Sequence, residues 1–78
     1  MTDFKKGDRV RVCSIDDYSR SCMTHLGIAL PIGRTGTVEE VRFNPNMAVY
    51  GLGIEILVRM NDNGGLTLWN DMNLELLA

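Results

Sequence analysis

Little in this chain is suited to covalent chemistry. One histidine, two cysteines, one tryptophan, two tyrosines and two phenylalanines in 78 residues leave few metal ligands, few nucleophile and base combinations and few stacking platforms. No excess of positive charge is present either: eight Lys and Arg stand against ten Asp and Glu, a net charge of -2. Nucleic-acid binding draws most of its affinity from neutralised phosphates, so this balance argues against it as the main role. No apolar run approaches the ~18 residues of a membrane-crossing helix, and the opening Met1-Thr-Asp-Phe-Lys-Lys has no apolar leader stretch. The expectation is a cytoplasmic protein without a membrane partner, whose Cys13 and Cys22 stay reduced. A chain this short is one domain, residues 1–78, burying roughly 60% of its unfolded surface and lacking room for a deep catalytic pocket.

What is present is β pattern. In Phe4-Lys-Lys-Gly7-Asp8-Arg9-Val10-Arg11-Val12, a turn feeds strict alternation of charge and valine, which predicts a first strand over Arg9 to Ile15 with one face buried and Phe4 folded back as a lid. Thr35 to Phe43 predicts a second strand. Its Val38 and Val41 break strict alternation, so a β-bulge is expected at Glu39-Glu40. Asn44-Pro45-Asn46 predicts a turn, and Met47 to Gly53, interrupted by Gly51 and Gly53, a weak irregular strand. Ile54 to Met60 has the highest strand propensity, with Ile54, Ile56 and Val58 on one face. Asn61-Asp-Asn-Gly-Gly65 supplies a hairpin turn, Leu66 to Trp69 a fourth strand, Asn70 to Asn73 a 3₁₀-like turn, and Leu74 to Leu77 a closing strand. Residues 16–33 have no sustained periodicity. They predict a long loop, with a short helical turn around Ser21 to Ala29 ended by Pro31; loops of that length are usually functional.

Phe4-x-x-Gly7-Asp8-Arg9-Val10-Arg11-Val12, Gly33-x-x-Gly36-Thr37-Val38-x-x-Val41, Ile56-x-Val58-Arg59 with Asp62 to Gly65, and Leu74-Glu75-Leu76-Leu77 together resemble the SH3-like small β-barrel superfamily, especially its prokaryotic and phage-type branch. The skeleton looks like KOW modules, the small barrel subunits of photosystem I and of ferredoxin-thioredoxin reductase, and the barrel of the nitrile hydratase β subunit. The resemblance implies an all-β, five-stranded SH3-like barrel, with a long loop between strands 1 and 2 and a short 3₁₀ turn before the last strand. It also implies docking without catalysis onto a larger protein or ribonucleoprotein. One departure stands out: a KOW module carries a compact basic loop where this chain has the apolar stretch 16–33.

The candidate sites divide by chemistry. Cys22-x-x-His25 has chelating spacing, with Cys13 and Asp16 or Asp17 as completing ligands, yet a structural zinc site needs a second close pair; the expectation is no metal and no cofactor. A Cys13 or Cys22 nucleophile with His25 lacks a marked orienting group. Asp16-Asp17 and Glu39-Glu40 read as solvated, and Gly33-x-x-Gly36 and Gly64-Gly65 lack the helix a phosphate-binding loop requires, so no catalytic residue is assigned.

Charge is uneven. Residues 1–42 hold seven basic and six acidic side chains, residues 43–78 one and four. Lys5, Lys6, Arg9, Arg11 and Arg34 therefore form a candidate nucleic-acid face, against a solvated strand face balanced by Glu39 and Glu55. Trp69 is either a barrel-end core residue or an exposed anchor, and Met23, Leu26, Ile28 and Leu30 carry the same two readings.

The expected function is a non-enzymatic interaction module docking on a larger protein through Met23, Leu26, Ile28, Leu30, Arg34 and Trp69. A regulator or inhibitor encoded by a phage or mobile element fits this description. The alternative is binding of RNA or of the transcription and translation machinery through the basic face. The apolar segment 47–57 also offers a homodimer contact.

Overall fold

The computed structural model describes residues 3–77. The valine alternation forms β1 (Arg9–Val12), with Val10 and Val12 fully buried and both arginines outside. The strand stops three residues short of Ile15 because its next backbone groups are claimed elsewhere: the N–H groups of Cys13 and Ser14 both donate to the Asn73 carbonyl, at 2.8 and 3.3 Å. Phe4 packs against the core as a lid would.

The expected long loop contains a ten-residue helix, α1 (Asp17–Leu26), which corrects the all-β reading and replaces the shorter turn expected around Ser21 to Ala29. Its start is built by Asp16, whose carboxylate accepts from the Ser19 N–H at 3.0 Å and the Ser19 hydroxyl at 2.8 Å, satisfying donors that the first helical turn leaves open. Its end comes at Gly27, in the left-handed region at φ +71°, well before Pro31. That conformation suits glycine and sends its N–H back to the carbonyls of Met23 and Thr24.

The second strand, β2 (Thr35–Phe43), has its register shift between Val38 and Glu40, where the bulge was expected. After it, the expected weak strand over 47–53 does not form. Asn44 caps a short helix, α2 (Pro45–Ala48), and local bonds from Tyr50, Gly51 and Leu52 to Met47 and Ala48 consume the groups a strand would present. A proline in the first helical turn costs nothing because its missing N–H would be unpaired there anyway. The chain then follows expectation through β3 (Ile54–Met60), β4 (Leu66–Asn70), a 3₁₀ turn (Asp71–Asn73) and β5 (Leu74–Leu76).

All five strands are antiparallel in one sheet of order β4-β3-β2-β1-β5. Among the described residues no ladder joins β4 to β5, so the sheet has two ends. Val10, Val12, Val38, Ile56, Val58, Met60 and Leu74 form the core, each side chain contributing about 1.5–3 kcal/mol by burial. Gly36 sits where β2 passes β3: a Cβ there would lie 2.5 Å from the Arg59 carbonyl oxygen and from Val58 Cγ1.

Gly36→Ala is therefore expected to lower stability by about 1–3 kcal/mol, the usual cost of overpacking. Urea denaturation measures it; an unchanged midpoint would show that the β2–β3 crossing can spread.

Candidate functional site

Helix α1 stands off the sheet. It buries none of its residues, and Tyr18 and Leu26 are 79% and 68% exposed. Ser19 and Met23, four apart and so on one face, turn toward β4 across an open cleft of about 440 Å³. Ile28 and Pro31, in the segment leading to β2, extend the α1 wall, and residues 67–70 of β4 form the other.

Trp69 is neither fully buried nor fully exposed. It is half-buried against the core, yet it lines the cleft, and its indole N–H donates to the Thr67 hydroxyl at 2.7 Å. A ring held by packing below and by a hydrogen bond at its edge is a pre-positioned contact surface.

The floor depends on Asn73, a buried polar residue. Its side-chain oxygen accepts from the Asn70 N–H at 2.9 Å and its amide nitrogen donates to the Ser14 carbonyl at 3.1 Å. Together with the Cys13 and Ser14 N–H bonds to its own carbonyl, these tie the end of β4 to the end of β1 beneath the cleft.

Of the six residues expected to bind a partner, the structure brings four together here: Met23, Ile28, Arg34 and Trp69. Leu26 lies on the solvent side of α1, in line with Tyr18 and Cys22, and Leu30 is half-buried outside the cleft lining. Ser19, Asn70 and Asn73 were not anticipated. For Ser19 the signal was available in the Asp16-x-x-Ser19 capping spacing; for the asparagines it was not, because their roles require β1 and β4 to meet.

Arg34 is neutralised within the protein. Its Nε and Nη2 donate to the two carboxylate oxygens of Asp62, each at 2.8 Å. Those bonds, reinforced by the guanidinium charge, hold the Asp62 carboxyl below its ordinary range and push Arg34 up. The Asp16 carboxyl is likewise held low, by the backbone N–H and then the hydroxyl of Ser19.

The basic face is partly occupied too. Arg9 and Arg11 share the outward side of β1 as expected, but Arg11 pairs with Glu75 of β5 at 2.6 Å, while the anticipated balancing residues Glu39 and Glu55 pair with Arg59 and Arg42. Among the described residues Lys5, Lys6 and Arg9 take part in no ion pair. Cys13 and Cys22 are exposed free thiols, and no group of three or more His, Cys, Asp or Glu among the described residues is placed to hold a metal.

A carboxyl held below its ordinary value stabilises the fold above that value and loses its contribution as pH falls through the lowered one. Asp62→Asn is thus expected to unfold at lower urea than the parent at neutral pH. The gap should narrow below the ordinary aspartate value of 3.8, and a gap independent of pH would mean that the Arg34–Asp62 pair contributes nothing.

Comparison with protein-family models, with curated proteins and with solved structures finds no match to this chain.

Proposed function

We propose that the chain is a non-enzymatic interaction module that docks on a larger protein or complex through the cleft between α1 and β4. The observation that carries this reading is the gathering of Met23, Ile28 and Trp69, from three separate segments, around an open space that the core does not fill. A helix with no buried residue contributes nothing to the core, so its apolar side chains are explained by a surface they meet outside the fold. The two ionised side chains lining the cleft, Asp16 and Arg34, are each already held by hydrogen bonds, an arrangement suited to shape recognition more than to proton transfer.

The sheet itself we take as an SH3-like barrel whose seam between β4 and β5 is closed by the 3₁₀ turn. Asn73 supports this, because its bonds to Asn70, Cys13 and Ser14 bring the two sheet ends together where no ladder does. A regulator or inhibitor working in the cytoplasm, of the size that phages and mobile elements encode, agrees with such a module. The RNA reading keeps Lys5, Lys6 and Arg9 but loses much of Arg11 and Arg34, which are engaged by Glu75 and Asp62.

The test is quantitative capture by the immobilised protein. Met23→Asp and Ile28→Asp, each changing a side chain outside the core, are expected to lower recovery of the captured protein at least tenfold, whereas Tyr50→Asp, outside the cleft lining, leaves it intact. Recovery through the cleft should persist in high salt, since phosphate contacts alone fade steeply there. Full recovery by both cleft variants, with circular dichroism unchanged, would exclude the cleft as the docking site.

A further inference from the structure

Strand β4 ends the sheet on one side, and its sequence lacks what edge strands use to discourage pairing. Leu66-Thr-Leu-Trp-Asn70 contains no charged residue and no proline, and its register with β3 runs without a bulge. The opposite edge, β5, has only three residues and carries Glu75.

Antiparallel alternation determines which backbone groups of β4 are open. The Met60 N–H donates to the Gly65 carbonyl at 2.9 Å, so in this register that carbonyl and the backbone groups of Thr67 and Trp69 turn toward β3. Leu66, Leu68 and Asn70 turn theirs outward. The outward row is closed at both ends, because the Asn70 N–H is taken by Asn73 Oδ1 at 2.9 Å and the Gly64 carbonyl by Arg59 Nη1 at 2.7 Å. What is left open, among the described residues, is the N–H and C=O of Leu66 and of Leu68.

That open stretch, Leu66-Thr67-Leu68, reads the same in both directions. A two-fold interface requires a surface complementary to itself, and a palindromic strand meets the requirement. We infer that β4 pairs antiparallel with β4 of a second copy of this chain about a two-fold axis at Thr67, joining two sheets edge to edge. Leu66 of each copy then faces Leu68 of the other in hydrogen-bonded pairs that together use every open group, and the two Thr67 residues meet at the non-hydrogen-bonded position between them.

Side chains agree with this register. Leu66 and Leu68 are 48% and 49% exposed on the outer face, beside half-buried Leu57, the cross-strand partner of Leu68. Pairing continues this leucine row across the axis, and no like charges fall directly opposite. The nearest outer-face charge, Arg59, is held by Glu39 at 2.8 Å. The segment 47–57, expected earlier to supply a dimer contact, presents α2 and a turn over its first half and no free strand edge. The pairing uses the β4 wall that also lines the docking cleft, Thr67 and Leu68 included, but takes nothing from Met23 or Ile28, so loss of docking in the Met23→Asp and Ile28→Asp variants and loss of the dimer in the Leu68 variants are separable.

Light scattering on the full chain across rising concentration is expected to show mass moving from 8.7 kDa to twice that value. Leu68→Pro deletes one outward N–H without touching the β3 ladder, and Leu68→Lys adds charge at the same point; both should stay monomeric at concentrations where the parent and Leu26→Lys are dimers. In a mixed sample of labelled and unlabelled chains, an intermolecular contact between Thr67 α-protons is expected, because the non-hydrogen-bonded position brings them together. A parent that remains monomeric at millimolar concentration overturns the inference. So does a dimer that persists in both folded Leu68 variants, or a dimer without the Thr67 contact.

Discussion

Asn73 is the residue on which the arrangement depends. A small antiparallel sheet with two ends would leave both of them, and the chain between β1 and α1, without a defined relation. One buried asparagine supplies that relation through its side-chain amide and its backbone carbonyl, joining Asn70, Cys13 and Ser14. Buried amides of this kind are costly unless every partner is present, and here the partners come from two strands far apart in sequence. The stop of β1 at Val12, the direction in which Asp16 launches α1 and the floor of the cleft all follow from that junction.

Above it the economy of a short chain takes over. Among the described residues the fully buried apolar side chains all come from strands, and none comes from α1. The helix is held by its own caps and by its tethers, so its inner face borders a cleft and its outer face borders solvent. Apolar surface that a larger domain would cover thus remains available. Arg34 and Asp62 neutralise each other at the cleft's edge, leaving a lining in which Met23, Ile28, Pro31 and Trp69 stand among polar side chains.

The strands were legible because their signals are local. Alternation in Arg9-Val-Arg-Val12, the broken alternation at Glu39-Glu40, and the turn residues of Asn61 to Gly65 each specify geometry over a few residues. Helix α1 was harder to see because its apolar residues face no core and so keep no core-facing period; only its caps, Asp16 and Gly27, mark it. Segment 47–53 misled for a related reason, since apolar composition suggests a strand while Asn44 and Pro45 direct a helical turn. Of the six residues expected to bind a partner, Met23, Ile28 and Trp69, singled out for their unexplained apolarity, line the cleft together with Arg34, whereas Asn70 and Asn73 acquire meaning only when β1 and β4 are brought together.

Native-state amide hydrogen exchange tests the central claim, that α1 stands apart from a core closed by Asn73, most directly. The Cys13 amide and the β1–β3 ladders should exchange only through global opening, and the α1 amides orders of magnitude faster through local opening. Protection of α1 equal to that of β3 would contradict the account, for it would mean that the helix belongs to the core and that the cleft is not free for a partner.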